Sequence, residues 1–213
     1  MGIAVKICGL SDETAVAAAV EGGAKFCGFV FFPKSPRNVT PARAGELTAA
    51  VPKGVTRVGL VVDATDAFLS EIAAKANIDM LQLHGQETPE RALDIRERFG
   101  LPVMKVVPVA KAGDADKARA FETVCDRLMF DALPPAGADR PGGNARAFDW
   151  SLLKGLRVSL PWLLAGGLTA ENLGEAVARS GAKAVDVSSG VEDRPGVKSP
   201  LKIKAFLRAA TAI

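Results

Sequence analysis

A chain of 213 residues with 48% apolar and 24% charged positions can bury one sizeable core, and its composition is neither disordered nor fibrous. The net charge of +3 is small and no Lys/Arg run makes a duplex-binding stripe, so a small anionic substrate is expected and a nucleic-acid partner is not. No apolar run approaches the roughly 18 residues of a membrane span, and Lys6, Asp12 and Glu13 interrupt any signal-peptide core, so a cytoplasmic protein without a membrane partner is expected.

From the amino end, an apolar run at 4–7 predicts a first strand, and the Ala-rich stretch 12–21 predicts a helix capped by Ser11. The same unit then repeats. Strand 26–31 precedes helix 41–50, strand 57–62 precedes helix 66–76, and strand 80–83 precedes helix 89–99. Thr40 before Pro41 and Thr88 before Pro89 are further cap signals, with Pro at the first helical position. Strand 103–107 leads to helix 114–124, strand 128–130 to no helix, strand 162–165 to helix 170–180, and strand 184–187 to helix 200–210.

Eight strand–helix units of about 26 residues predict an α/β fold, a single (β/α)8 TIM barrel over residues 1–213, with an open doubly wound sheet as second choice. Residues 132–147 break the rhythm: they are long, rich in Pro and Gly and polar at their centre, which predicts a mobile lid over a site.

In a parallel barrel all strand ends open on one face, where sites of this fold lie. Cys8 follows the first strand, Lys34 and Arg37 the second, Asp63 the third, His84 the fourth and Asp131 the sixth. Gly166 and Gly167 follow the seventh strand, and Ser188, Ser189 and Gly190 the eighth. Gly-rich turns there let backbone N–H groups approach an anion, so the substrate is expected to carry a phosphate. Period two puts Asp186 on the same side of its strand as Ser188, and Lys6 on the same side as Cys8; a buried Lys6–Asp186 pair across the closing seam follows as a structural reading.

Several blocks resemble phosphoribosylanthranilate isomerases of tryptophan biosynthesis: Val5-Lys6-Ile7-Cys8-Gly9, the run from Gly28 through Phe32-Pro33-Lys34-Ser35-Pro36-Arg37, Leu81-Gln82-Leu83-His84-Gly85, Phe130-Asp131, Gly142-Gly143, Phe148-Asp149-Trp150, Leu164-Ala165-Gly166-Gly167-Leu168, and Asp186-Val187-Ser188-Ser189-Gly190-Val191-Glu192. The second block is highly specific, whereas Gly-Gly and Ser-Ser-Gly alone occur in many phosphate-binding barrels. The resemblance implies an Amadori rearrangement without cofactor. It assigns Cys8 as general base, Asp131 as the acid that opens the furanose, and Arg37 as the partner of the anthranilate carboxylate. It leaves the assembly as monomer or homodimer. Gly142-Gly143-Asn144-Ala145 departs from the family's Gly-Gly-Thr-Gly or Gly-Gly-Asn-Gly, since Ala145 resists a positive φ.

Each role has a plainer counterpart. A lone Cys is usually a small buried hydrophobe, the reading kept for Cys27 and Cys125, and the unpaired spacing of all three predicts free thiols. The plainer counterpart of Asp131 is a loop brace, and that of Arg37 a solvated surface cation. His84, the only histidine, reads as structural or supporting, and with no second His no metal site is expected. Trp150 and Trp162 read as core. A phosphoribosylformimino isomerase should have a carboxylate in place of Cys8, and an indoleglycerol phosphate synthase a catalytic Lys and Glu near the first strands; a silent phosphate-ligand binder is the non-enzymatic alternative. The chemistry needs Cys8 as thiolate and Asp131 protonated, the reverse of their ordinary states, so the site is expected to move Cys8 down through Lys6, Arg37 or phosphate-loop N–H groups, and Asp131 up by desolvation.

Overall fold

β-Branched and aromatic residues drive eight short apolar segments into strands, and the helical return between them lays each strand parallel to the one before. In the computed structural model, which describes residues 2–135, 137–138, 140–143 and 147–213, these are β1 (Ala4–Cys8), β2 (Phe26–Phe31), β3 (Thr56–Val61), β4 (Met80–Leu83), β5 (Val103–Val109), β6 (Arg127–Ala132), β7 (Trp162–Leu164) and β8 (Ala184–Val187). They close in chain order into a barrel, with β1 pairing to both β2 and β8. The expected (β/α)8 architecture is therefore present and the open sheet is not.

The helices are α1 (Glu13–Glu21), α2 (Pro41–Thr48), α3 (Asp66–Lys75), α4 (Pro89–Phe99), α5 (Leu173–Ser180) and α6 (Pro200–Thr211). Thr40, Thr65 and Thr88 cap α2, α3 and α4 by accepting from the N–H groups of Arg43, Phe68 and Arg91. The cap of α1 is Asp12, not Ser11: its carboxylate accepts from Ala15 N at 2.9 Å and starts the helix one residue later. Residues 114–124 are not an α-helix. Asp114–Phe121 wind as a 3-10 helix, because Asp114 accepts from Ala110 and Lys111 N–H and tightens the turn around Gly113. α5 starts late for a similar reason, since Asn172 bonds Thr169 N and the Gly167 carbonyl and occupies the first expected turn.

Two segments were not anticipated. A short 3-10 turn (Ser189–Val191) after β8 runs into an antiparallel hairpin, β9 (Glu192–Arg194) with β10 (Val197–Lys198). A second 3-10 turn (Trp150–Leu153) occupies the sixth crossover.

The main core lies between the strands and their helices, as Phe29, Phe31, Leu47, Ile72, Leu81, Phe130 and Phe206 illustrate. A separate cluster of Phe26, Val58, Met80, Met104, Met129 and Leu163 forms from residues that alternate with the first set and plugs the barrel below the mouth. Cys8, Val30 and Leu60 make a third, small cluster above it. Trp150 is buried as expected, whereas Trp162 is only half-buried and packs edge-to-face on Phe130 with centroids 5.5 Å apart. Asn144, Ala145 and Arg146, and with them the Ala145 departure, lie outside the described residues.

Candidate active site

The carboxyl ends of the strands open on a cavity that, with the solvent space at its mouth, encloses about 460 Å³. Cys8 from β1, Arg37 from the β2 loop, His84 from the β4 end, Asp131 from β6, Asp186 from β8 and Ser188 beyond it all line this cavity, and Gly142 and Gly143 cover it from the sixth crossover. A neighbouring cleft of about 430 Å³ is lined by Gly166, Gly167, Ser188, Ser189 and Gly190 and shares Asp131, Asp186, Gly142 and Gly143 with the first. Gly166 and Gly167 have φ of 92° and 64°, which L side chains rarely adopt. All nine expected site residues thus line one continuous mouth.

Cys8 stands at the top of β1 and is 4% exposed. Beneath it Lys6 runs up inside the barrel, 0% exposed, with Nζ 2.7 Å from Asp186 Oδ1, so the pair across the closing seam forms as expected. Gly28, level with Cys8 on β2, makes room for that ammonium: a Cβ there would lie 2.9 Å from Lys6 Nζ. Burial opposes the Lys6 charge, but Asp186 and Cys8 outweigh it and raise its pKa. For Cys8 the expected direction is overturned. Burial pushes its thiol up, Asp186 adds to that, and the pull of Lys6 and Lys198 downward does not cancel it. Burial also pushes Cys27 and Cys125 up, to about 12 each, and all three cysteines are free thiols.

Asp131 Oδ1 accepts from Ala132 N at 2.8 Å, and Oδ2 lies 3.4 Å from His84 Nε2. His84 therefore stands in the cavity wall beside the expected acid, closer to the chemistry than a purely structural residue. Lys34 is exposed and lines neither cavity. Asp63 is exposed too: at φ 46° it accepts from Gln86 N and braces the β3–β4 ends with Glu87 and Lys105, a buried pair 2.7 Å apart that the sequence did not reveal.

Arg37 is 4% exposed and already bound to a carboxylate, that of Glu192. Its Nε donates to Oε1 at 2.6 Å and Nη2 to Oε2 at 2.9 Å. Burial favours the neutral acid of Glu192, yet Arg37 and Lys198 hold it ionised and lower its pKa, while burial lowers that of Lys198 against the pull of Glu192. Gln82 is a further site residue that the sequence motifs do not single out. It is buried in the cavity floor, and its Oε1 has no hydrogen-bond partner among the described residues. Its place in Leu81-Gln82-Leu83-His84, an inward position by period two, was the available signal. Also among the described residues, no three His, Cys, Asp or Glu side chains gather as a metal-ligand set, and no helix is long and apolar enough to cross a membrane.

Residues 5–209 match the family model described as N-(5'phosphoribosyl)anthranilate (PRA) isomerase. A curated N-(5'-phosphoribosyl)anthranilate isomerase of Paramagnetospirillum magneticum is 58% identical over 210 residues, covering 99% of this chain and 98% of the relative. The Rhodospirillum rubrum protein of the same name is 56% identical over 96% of each chain. Among solved structures, the phosphoribosyl anthranilate isomerase of Thermotoga maritima superposes with a TM-score of 0.88 at 34% identity, covering 99% of this chain and all of that one. Another such isomerase, solved with reduced 1-(o-carboxyphenylamino)-1-deoxyribulose 5-phosphate, gives a TM-score of 0.85 at 33% identity, covering 99% and 100%.

Proposed function

The chain belongs to the N-(5'-phosphoribosyl)anthranilate isomerase family, and on that premise we propose how its mouth carries out the isomerisation. The enzyme converts N-(5'-phosphoribosyl)anthranilate into 1-(2-carboxyphenylamino)-1-deoxyribulose 5-phosphate, an Amadori rearrangement in tryptophan biosynthesis. Asp131 protonates the furanose ring oxygen as the anilino nitrogen pushes open the C1–O bond. The Cys8 thiolate then removes the C2 proton from the resulting iminium. The enamine so formed tautomerises to the ketose, and no atom is gained or lost.

The observation that carries this reading is the shared cavity: Cys8 and Asp131 line it together, and the glycine- and serine-lined cleft for a phosphate adjoins it. Gly166, Gly167, Ser188, Ser189 and Gly190 hold the phosphate, Asp186 faces the sugar hydroxyls, and Arg37 meets the ring carboxylate. Burial raises the Cys8 thiol, so the free enzyme holds it largely as SH, and Lys6 and Lys198 are the cations that favour the thiolate form the base needs. Loss of anthranilate fluorescence on adding the purified chain to freshly made substrate tests the activity. Cys8→Ala and Asp131→Asn should each abolish turnover while still binding the reduced product. Near-wild-type kcat in Cys8→Ala would transfer the base role to His84.

Residues 1–213 are taken as one domain acting in the cytoplasm, without metal or cofactor. A monomer and a homodimer both suit it; a dimeric relative from Thermotoga maritima has also been solved as monomers. Sedimentation of the purified chain separates the two.

A further inference from the structure

Arg37 does not face the cavity as a free cation. A guanidinium has two bidentate edges, and Glu192 occupies the side-on edge formed by Nε and Nη2. On the end-on edge, Nη1 borders the cavity and the second hydrogen of Nη2 is donated to the Gly143 carbonyl at 3.4 Å, a long contact that a substrate carboxylate can displace. Glu192 is itself held. Lys198 Nζ donates to its Oε1 at 2.8 Å and Gly196 N to its Oε2 at 3.3 Å. Lys198 Nζ also donates to the Ser188 carbonyl at 2.8 Å and approaches Ser188 Oγ at 3.2 Å, while that hydroxyl donates to the Cys8 carbonyl at 3.1 Å. The three charged side chains are buried. Arg37, Lys198 and Glu192 together carry a single positive charge at the edge of the cavity, which Arg140 also lines.

We propose that Glu192 and Lys198, on the hairpin after β8, are positioning residues: Glu192 turns the end-on edge of Arg37 toward the anthranilate carboxylate, and Lys198 couples that setting to Ser188 in the phosphate-side loop. An unanchored Arg side chain has many rotamers to lose on binding, and Glu192 removes most of that cost in advance. The proposal rests on the reading of Arg37 as the carboxylate's partner.

The test uses the intact enzyme and two probes, the reduced product and the same molecule without its ring carboxylate. The ratio of their affinities measures how well the site reads the carboxylate. Glu192→Asp keeps the charge but draws the anchor back by one methylene. Glu192→Gln keeps the length but accepts poorly from two donors at once. Each should cut the ratio about tenfold, the worth of one charge-assisted hydrogen bond, through weaker reduced product alone. The carboxylate-free probe should stay within about twofold, because its contacts do not pass through Arg37. Lys198→Met should weaken inorganic phosphate as a competitive inhibitor as well, since Ser188 loses its tie.

Equal weakening of both probes would mean that Glu192 only supports the fold, and would overturn the proposal. So would tighter binding of the reduced product to Glu192→Gln, which would show that net charge governs rather than orientation. Arg37→Met separates the two levels. If it abolishes the ratio while both Glu192 variants keep it, the positioning role fails and the role of Arg37 stands. If Arg37→Met keeps the ratio too, the reading of Arg37 fails first.

Discussion

Replacing Lys6 by Met would strand a carboxylate inside the barrel. The Lys6 side chain is 0% exposed and that of Asp186 10%, with 2.7 Å between them. Met nearly matches the stem of Lys in volume, so the loss is electrostatic rather than a cavity. Removing one partner of a buried pair costs about 3–5 kcal/mol. Asp186 borders the cavity, where water can partly replace the ammonium, so we expect the lower end, about 3 kcal/mol or a fall in Tm of about 6–12 °C for a chain of this size. Lys6 has its pKa raised in the folded state, so its contribution is full below the unfolded value of about 10.4 and fades only as pH rises past that; a neutral-pH experiment sees all of it. Urea unfolding at pH 7.5, followed by fluorescence of Trp150 and Trp162, gives the number. The double variant Lys6→Met/Asp186→Asn removes the stranded charge and should recover most of the loss. A single variant within about 1 kcal/mol of wild type, or a double variant no more stable than the single, would refute the reasoning.

Other outcomes follow from the same geometry. Cys27 and Cys125 are pushed up to about 12 in the folded chain while unfolded thiols ionise near about 8.5, so stability should fall as pH rises between these values, by about 1.4 kcal/mol per pH unit for each thiol. Cys125→Ala should flatten the decline between pH 9 and 11 by one such step; an unchanged slope would remove the thiol from the account. Cys8 lines the cavity and Cys27 and Cys125 do not, so it should alkylate faster than either and be protected by bound reduced product; equal rates for all three would mean that the cavity gives a reagent no access to it. A methyl at Gly142 would lie 3.0 Å from Asp131 Oδ2 and 3.1 Å from His84 Nε2. Gly142→Ala should therefore lower kcat/KM by about tenfold or more with little change in Tm, and an unaltered kcat/KM would place Gly142 outside the reacting volume. Activity should survive EDTA; loss that a divalent ion restores would reveal a metal requirement.

The barrel was largely legible because its signals are local. Apolar runs of strand length recur eight times, seven of them followed by a helix-like stretch, and each observed strand overlaps the run that predicted it. Parallel closure then carries Cys8, Asp131, the glycine pair and the serine loop to one face, so a linear reading could gather them. What stayed hidden is what depends on distance across the fold. Nothing near Arg37 in the chain announces Glu192, 155 positions later, or the Lys198 behind it. The sign of the Cys8 shift depends on how deeply the thiol is buried, and a sequence shows the neighbouring lysine more readily than the missing water. The misplaced cap of α1 and the 3-10 winding of Asp114–Phe121 are a different failure, in which adjacent Ser and Asp side chains, or an Asp with its own turn, compete for the same N–H groups.

The seam between β1 and β8 also sets an order of events during synthesis. Lys6 is made early, yet its carboxylate partner arrives 180 positions later and the Glu192 that anchors Arg37 later still. On a ribosome that adds about 5–20 residues per second, the growing chain carries a solvated Lys6 for roughly 10–40 s before the last strand can close over it. Until then the barrel interior has an open edge, and a nascent chain stalled short of β8 offers β1 and β7 as unpaired templates for other strands. The ion pair that completes the site is thus also a check on completeness: only in a chain translated through its eighth strand does the lysine meet the carboxylate that offsets its loss of water.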